Sequence, residues 1–385
     1  MAISAGGQHT CALLDDGSVT CWGYNGWGVI GDGTNTDRHT PTQTASLGAG
    51  RTAVAISAGY THTCALLDDG TVACWGENFF GQLGDGTGTA DYNNHQNIPT
   101  QTATLGAGRT AVAISAQHDH TCALLDNGSV SCWGRNTWGQ LGDGTTIDRD
   151  TPTQTASLGA GRTAVAISAH YSSTCALLDD GSIACWGSNN YGQLGDGTTT
   201  DRHTPTQTAS LGAGRTAVAI SSAGVNACAV LDDGSVACWG SNYYGQLGDG
   251  TTTDRHTPTQ TASLGAGRAA VAITTTTGVT CVILDDRHVS CWGRNAYGQL
   301  GDGTTTDQHT PTLPATGMIS LDAGRTASAI SVSDASYTCA LLDDGSVVCW
   351  GRNTLGQLGD GTTTNRDTPT QTASLGAGRT AVAIS

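Results

Sequence analysis

The stretch GYTHTCALLDDGTVACWGENFFGQLGDGT, residues 59–87, recurs along the chain in seven similar copies. The tripeptide CWG begins at residues 21, 74, 132, 185, 238, 291 and 349, so successive copies lie 53 or 58 residues apart. A period of about 50 residues indicates a propeller or a solenoid built from one repeated unit. The chain is therefore interpreted as a single repeat domain, residues 1–385, with units at 5–57, 58–115, 116–168, 169–221, 222–274, 275–331 and 332–385.

Each unit contains four segments with strand character. AVAIS is short and apolar, HTCALL and the segment ending in CWG flank a DDG hairpin signal, and PTQTASL follows a glycine-rich connection. Seven such units predict an all-β, seven-bladed β-propeller with four-stranded blades, in which strand edges are short and protected. AIS (2–4) and AVAIS (381–385) occupy the same strand position. We therefore expect the N- and C-terminal strands to pair and close the ring.

The repeated phrase HTCALLDDGSV.CWG.N..GQLGDGT resembles the repeat of the regulator-of-chromosome-condensation family. The resemblance covers essentially the whole chain and implies a seven-bladed propeller. The family includes a nucleotide-exchange factor for a small GTPase, a plant ultraviolet photoreceptor and a bacterial β-lactamase inhibitor. The resemblance thus implies a fold without implying one activity. We interpret the chain as a bacterial-type member.

The charge distribution excludes some partners. The formal net charge is −16, every basic residue is arginine, and no basic stripe runs along the chain. Such a chain would repel a phosphate backbone, so we expect no nucleic-acid partner. No apolar run reaches the roughly 18 residues that a membrane span needs. The opening MAISAGGQHT also lacks the pattern of a signal peptide.

The fourteen cysteines fall two per unit, on either side of the DDG turn. A three-residue loop Asp15-Asp16-Gly17, with Gly17 in the left-handed conformation, would place Cys11 opposite Cys21 within disulfide reach. The predicted disulfides are Cys11–Cys21, Cys64–Cys74, Cys122–Cys132, Cys175–Cys185, Cys228–Cys238, Cys281–Cys291 and Cys339–Cys349. Buried free thiols are the main alternative, and two thiolates without a histidine make a poor metal site. Paired cysteines predict a secreted or cell-surface protein.

Two short stretches vary between otherwise constant copies: the one before TC and the one after CWG. In a four-stranded blade these are the first and third connections, so they emerge on one face, which we call the variable-loop face. The constant DDG turns and GAGR loops share the opposite face, the DDG face. Variation confined to one rim is the pattern of a fixed scaffold with a diversified binding surface.

The variable-loop face carries the candidate ligand-binding residues. Aromatic residues with arginine resemble the composition of protein interfaces, although an aromatic residue before glycine in each unit could instead pack against the next blade. The candidates are Tyr24, Trp27, Tyr60, Phe79, Phe80, Arg135, Trp138, Tyr171, Tyr191, Tyr243, Tyr244, Arg294, Tyr297 and Arg352, with Leu355 at the aromatic position of the seventh unit. The tryptophan of each CWG is assigned to the core, and the stretch before TC has no tryptophan that would indicate light sensing.

The repeats contain few residue patterns that could support catalysis or metal binding. His9, His62 and His120 precede TC in the first three units, where a hydrogen bond to a neighbouring loop is a simpler role than metal binding. The GDGT.TD runs loosely resemble calcium loops but lack the closing glutamate. No nucleophile elbow, phosphate loop or dinucleotide fingerprint is present. We therefore expect no enzyme, cofactor or bound metal.

These observations predict a monomeric, non-catalytic binding propeller that recognises a protein or a glycan, including the case of an inhibitor covering a target. The alternative is a structural repeat module of a larger surface protein. Segments 198–220 and 251–273 are nearly identical, which suits that alternative. Nucleotide exchange follows only from the family resemblance, and no residue supports it.

Overall fold

The computed structural model describes residues 3–88, 94–312 and 325–374. Within these ranges the chain forms strands and turns, and no helix there could span a membrane. The strands form seven separate antiparallel sheets, one for each repeat. The predicted all-β, seven-bladed architecture is therefore confirmed. The C-terminal AVAIS segment (381–385) lies outside the described residues, and β1 supplies the inner strand of the first blade.

The strands are numbered in chain order and grouped by blade. Blade 1 has β1 (Ile3–Ala5), β2 (His9–Leu13), β3 (Val19–Gly23) and β4 (Arg38–Gln43); blade 2 has β5 (Ala53–Ala58), β6 (His62–Leu67), β7 (Val72–Glu77) and β8 (His95–Gln101); blade 3 has β9 (Ala111–Gln117), β10 (His120–Leu125), β11 (Val130–Gly134) and β12 (Arg149–Gln154); blade 4 has β13 (Ala164–His170), β14 (Ser173–Leu178), β15 (Ile183–Gly187) and β16 (Arg202–Gln207). Blade 5 has β17 (Ala217–Ser222), β18 (Asn226–Leu231), β19 (Val236–Gly240) and β20 (Arg255–Gln260); blade 6 has β21 (Ala270–Thr275), β22 (Val279–Leu284) and β23 (Val289–Gly293); blade 7 has β24 (Ala327–Ser333), β25 (Tyr337–Leu342), β26 (Val347–Gly351) and β27 (Arg366–Gln371).

Six blades have four strands in sequence order from the channel outward. Within the described residues, blade 6 has three strands and a single bridge from Gly293 to Gln308; residues 313–324 lie outside the described ranges. The outer strand occupies RHTPTQ rather than the expected PTQTASL. Its proline is tolerated because the outermost strand has no neighbour that needs the missing N–H.

The hairpin register agrees with the prediction. Cys11 lies opposite Cys21 and Leu13 opposite Val19, and Gly17 closes the turn with φ 75°. The paired Cα atoms lie 4.0–4.1 Å apart in all seven blades, and the sulfurs are at bonding distance. All fourteen cysteines are fully buried. The seven predicted pairs are therefore present.

Tryptophan joins each blade to the one before it. Trp186 Nε1 donates to the carbonyl of Gln140 at 2.9 Å, and Thr174 Oγ1 donates to the same carbonyl at 2.8 Å. The bond from Trp22 to the Gln357 carbonyl, 3.2 Å, joins blade 1 to blade 7 and closes the ring. Gly142 must be glycine because its φ is 70° and a Cβ would lie 2.6 Å from Trp186 Nε1. The assignment of these tryptophans to the core is confirmed.

The inner strands are joined through serine. Ser57 Oγ accepts the N–H of Ala116 in the next blade at 2.9 Å, and Ser4, Ser115, Ser168, Ser221 and Ser331 make the equivalent bond at 2.8–3.1 Å. An inner strand has a free edge, and these hydroxyls satisfy N–H groups that a neighbouring strand would otherwise bind. The serine of AVAIS thus connects the blades around the channel.

The DDG face is neutralised by pairs between repeats. Among the described residues, the arginine of each GAGR or DAGR loop contacts an aspartate of the following turn, as in Arg162 Nε to Asp180 Oδ2 at 2.8 Å. Equivalent contacts are Arg51–Asp69, Arg109–Asp126, Arg215–Asp233, Arg268–Asp286 and Arg325–Asp344. This face therefore presents the same partly neutralised surface in blade after blade.

Candidate functional site

The aromatic position after CWG meets the next blade on the variable-loop face. The guanidinium of Arg135 lies 4.8 Å from the ring centre of Phe80, that of Arg294 lies 5.1 Å from Tyr244, and that of Arg352 lies 5.6 Å from Tyr297. In each case the arginine follows the CWG of the next blade. Such a contact covers one ring face and is attractive through cation–π interaction. Six of the candidate residues therefore form three inter-blade pairs.

At two junctions where serine takes the place of this arginine, the ring stays exposed. Serine follows CWG at Ser188 and Ser241, and the preceding aromatic residues Trp138 and Tyr191 are 37% and 46% exposed. Tyr243 is 76% exposed and meets Tyr244 edge to face at 4.8 Å. Both predicted roles of the aromatic residue after CWG therefore occur: it packs against the next blade in some blades and is exposed in others.

The other candidates on this rim are half-buried. Trp27 packs on the core between blades 1 and 2 and lies edge to face with His95, 6.3 Å between ring centres. Phe79 packs edge to face on Phe80 at 4.6 Å. Burial and the nearby carboxylates Asp37 and Glu77 raise the pKa of Tyr24. These side chains support the rim more than they project from it.

A second aromatic group lies at the mouth of the central channel. Tyr60 and Tyr171, from the first connections of blades 2 and 4, are 38% and 43% exposed. His118 of blade 3 lies between them, stacked on Tyr60 with ring centres 4.8 Å apart and edge to face with Tyr171 at 4.1 Å. Its backbone has φ 31°, a conformation rare for a residue with a side chain. The structure therefore brings two candidate tyrosines together through a histidine.

A buried carboxylate supports this aromatic group. Asp119 lies 2.9 Å from His118 Nδ1 and 3.0 Å from Arg135, whose guanidinium also covers Phe80. Burial would raise the pKa of Asp119, but His118 and Arg135 outweigh that effect and hold the pKa below its usual range. Tyr60, His118 and Tyr171, here called the mouth cluster, are therefore linked to the Phe80–Arg135 pair through the carboxylate of Asp119.

A further pair spans the mouth. His170 Nε2 of blade 4 lies 3.1 Å from Asp334 Oδ2 of blade 7, on the far side of the ring. Asp334 also accepts bonds from the N–H and hydroxyl of Thr277, at 2.9 and 2.8 Å. Despite burial, these partners lower the pKa of Asp334 well below its usual range. Beneath the pair lies a channel cavity of about 430 Å³ lined by the inner-strand serines and isoleucines.

The three histidines before TC are structural. Nε2 of His9, His62 and His120 lies 2.8–3.0 Å from a threonine hydroxyl of the next blade. Each hydroxyl donates onward to a backbone carbonyl, so the histidine nitrogen must be the donor. Burial lowers the pKa of His9 and His120 to about 3 and that of His62 to about 4. The expected hydrogen bond exists, though to a strand threonine rather than to a loop.

The GDGT loops hold an amide where a cation would sit. Asn189 Nδ2 donates to Asp196 Oδ1 at 3.2 Å and to the carbonyls of Thr198 and Thr200 at 3.1 Å. The second oxygen of Asp196 binds Arg202 at 2.7 Å. Oxygen groups that could surround calcium thus already have nitrogen donors. Within the described ranges no cluster of three or more potential metal ligands occurs.

Sequence reasoning missed several residues at the mouth. His118, Asp119, His170 and Asp334 were not among the candidates, although each lies in a variable stretch, in QHDH, HYSS or DASY. Their variation between copies was the available signal. Their pairing was hidden because His170 and Asp334 lie three blades apart.

The comparison with known proteins agrees with this architecture. A family model described as RCC1-like domain matches residues 1–278, and the Regulator of chromosome condensation (RCC1) repeat matches residues 288–331, 327–357 and 344–385. The chain belongs to the RCC1 repeat family. Membership of this family confirms the resemblance seen in the repeats.

Individual relatives are similar to this chain at moderate sequence identity. The Ultraviolet-B receptor UVR8 of Arabidopsis thaliana is 31% identical over 96% of this chain and 80% of the relative. The human E3 ubiquitin-protein ligase HERC2 is 30% identical over 80% of this chain but only 6% of its own length. The structure of Kap60 bound to yeast RCC1 (Prp20) superposes with a TM-score of 0.79 at 20% identity, covering 94% of this chain and 84% of the other, which shows a shared fold. These plant, human and yeast proteins do not support the bacterial-type attribution.

Proposed function

We propose that this RCC1-family propeller is a non-catalytic binding protein that recognises a partner protein through its variable-loop face. One observation carries the proposal: the repeats differ mainly on this face, where Tyr60, Trp138, Tyr171, Tyr191 and Tyr243 are exposed. The DDG face repeats the same Arg–Asp pairs in successive blades. A diversified surface on a constant scaffold is the arrangement of a recognition protein.

The mouth cluster is the proposed centre of the contact. Tyr60, His118 and Tyr171 form a continuous aromatic group held by Asp119 and Arg135. Tyrosine and arginine are enriched in the residues that contribute most to protein binding. Because neighbouring side chains already hold these groups, little conformational freedom is lost on binding.

The relatives support a protein partner. One similar structure is that of yeast RCC1 bound to Kap60, according to its printed description. Kap60 itself is not proposed as a partner here, since identity to that chain is 20%.

The protein is further proposed to act as a monomer outside the cytosol, secreted or at a cell surface. Seven buried cysteine pairs support this location because disulfides persist in oxidising compartments. The test is the intact mass of protein purified without reductant, after free thiols are blocked in denaturant. We expect no blocked thiol before reduction and fourteen after it. Fourteen blocked thiols at the outset would contradict the location.

The competing function is a structural module that spaces other domains. Its support is the near identity of segments 198–220 and 251–273, which suits recent duplication without selection for recognition. The two functions differ in whether the exposed tyrosines matter for association.

Affinity capture with face-specific variants separates these functions. Tyr60→Thr with Tyr171→Thr removes the mouth tyrosines and uses the residue found at the equivalent Thr277. The control, Asp180→Asn, alters the DDG face and uses the residue found at Asn127. We expect proteins quantified on the wild type to remain on the control and to be lost from the double variant. Identical protein sets on all three would favour the structural module.

A further inference from the structure

The cleft between blades 4 and 5 differs from the other inter-blade positions on the variable-loop face. Tyr191 and Tyr243 line this open cleft of about 570 Å³ and are 46% and 76% exposed. At the blade 2–3, 5–6 and 6–7 junctions an arginine lies over the corresponding ring. Here Ser241 replaces that arginine, so the face of Tyr191 is free.

The neighbouring cleft between blades 3 and 4 lacks the second ring. Trp138 is exposed there and Ser188 replaces the arginine, but Asn190 stands where blade 5 has Tyr243. The hydroxyl of Ser188 also accepts bonds from Asn190 and Gln193, at 3.4 and 3.5 Å. Two exposed rings and a serine whose hydroxyl makes no hydrogen bond therefore coincide only at the blade 4–5 junction among the described inter-blade positions.

Hydrogen-bonding groups surround the two rings. Asp254, Thr253 and His256 line the cleft together with Ser241. Asp254 Oδ1 accepts the N–H of Asn242 at 2.8 Å, which fixes the carboxylate. Over the ranges that the structure describes, the hydroxyls of Ser241 and Thr253 make no hydrogen bond. Thr253 is exposed and can bind a ligand, whereas Ser241 lines the cleft with only 7% of its surface exposed.

The chemistry of these groups selects the ligand. No arginine or lysine lines the cleft, and Asp254 disfavours an anion, so an acidic ligand is excluded on charge. Aromatic faces suit the apolar C–H face of a sugar ring, and hydroxyl, carboxylate and imidazole groups suit a ligand rich in hydroxyls. We propose that this cleft binds a neutral oligosaccharide, with sugar rings packed on Tyr191 and Tyr243 and sugar hydroxyls bonded to Asp254 and Thr253.

The test begins with the wild-type propeller on an array of neutral and acidic oligosaccharides, followed by calorimetric titration of those retained. The decisive variant is Ser241→Arg, which installs the side chain that covers Tyr244 and Tyr297 in other blades. We expect it, and Tyr191→Leu, which uses the residue found at Leu355, to weaken binding about tenfold. Arginine and leucine are already accommodated at these positions elsewhere in the chain, so the variants should keep the wild-type melting temperature.

Ser188→Arg is the matched control, because it makes the same substitution in the neighbouring cleft. Its affinity should equal that of the wild type. No retained neutral oligosaccharide, equal losses in Ser188→Arg and Ser241→Arg, or retention of acidic oligosaccharides alone would each overturn the proposal. A protein partner at the mouth would be tested separately by the Tyr60 and Tyr171 variants, so either function can fail without the other.

Discussion

Single residues at repeated positions show what each environment requires. Six of the seven hairpin turns, five DDG and one DNG, end in glycine with positive φ, whereas blade 6 has Arg287 with φ 65° at the same place. The backbone bond from the next inner strand to this residue is 3.2 Å, against 2.8 Å at Gly181. A Cβ at this turn crowds the threonine of the following strand, as the geometry at Gly181 and Thr216 shows. The turn therefore accommodates a side chain only with backbone strain, which lowers the free energy of unfolding.

Replacing Arg287 with glycine should relieve this backbone strain. We expect Arg287→Gly to raise the free energy of unfolding by about 0.5–1 kcal/mol, because relief of left-handed strain exceeds the added flexibility of the unfolded chain. Denaturant unfolding measures the change. The reverse test, Gly181→Ala, should lower stability by at least about 1 kcal/mol. A destabilised Arg287→Gly protein would contradict this account.

The buried histidines predict a pH dependence. The pKa of His9, His62 and His120 is about 3–4 in the folded protein and 6.5 in the reference state, so the unfolded chain binds protons that the folded chain excludes. Their contribution to stability is complete above about pH 6.5 and is lost as the pH falls toward 4, by up to roughly 1.4 kcal/mol per pH unit for each histidine.

Glutamine offers a non-titrating donor at this site. We expect His9→Gln/His62→Gln/His120→Gln to lose less stability than the wild type between pH 6.5 and 4, because its amide can donate to the same threonine without binding a proton. Thermal unfolding across this range makes the comparison. Parallel pH curves for the two proteins would show that these histidines do not control the acid response.

At the scale of the element, the inner strand depends on the next blade as much as on its own sheet. Its free edge is protected by the serine bonds around the channel, and its flanks pack alanine and isoleucine against adjacent blades. The outer strand is different, because RHTPTQ has no buried residue and contains proline. Inter-blade contact thus stabilises the inner strand most, which explains why AVAIS hardly varies.

Removing one serine should expose this dependence. Ser57→Ala leaves the buried N–H of Ala116 without its acceptor, so we expect a loss of about 1–3 kcal/mol in the free energy of unfolding. Thr199→Ala is the control, since it removes a hydroxyl from an exposed loop and should change stability by less than about 0.5 kcal/mol. Equal effects in chemical denaturation would refute a role for the serine bond.

At the scale of the whole molecule, the ring closes through the tryptophan bond that joins every other pair of blades and through the serine bond that joins five of them. Trp22 binds blade 7 as Trp186 binds blade 3, and Ala5 N–H binds Ser331 at 3.1 Å. The disulfides lie within blades and contribute to each repeat separately. The fold is therefore stabilised by disulfides within each blade and by hydrogen bonds between blades that continue around the whole ring.

The burial of every cysteine predicts resistance to reduction. Native protein in dithiothreitol should keep its disulfides, because no sulfur is exposed. In guanidinium, dithiothreitol should reduce the disulfides. The free energy of unfolding of the refolded, reduced protein should then be lower by about 2–3 kcal/mol for each disulfide lost. Thiol labelling followed by mass spectrometry gives the count in each state. Rapid labelling of native protein would mean that the blades open readily.

The sequence was sufficient for the repeat number, the strand order, the cysteine register and the two faces, because these follow from local periodicity within about 50 residues. Comparing copies also located the variable stretches. The sequence alone could not show which aromatic rings are covered, since each contact joins two repeats. Arginine covers the ring of the preceding blade at Arg135, Arg294 and Arg352, whereas Ser188 and Ser241 leave that ring exposed. Nor could the sequence show that His170 meets Asp334 across the channel. Periodicity identifies equivalent positions, whereas packing around a closed ring decides which of them touch.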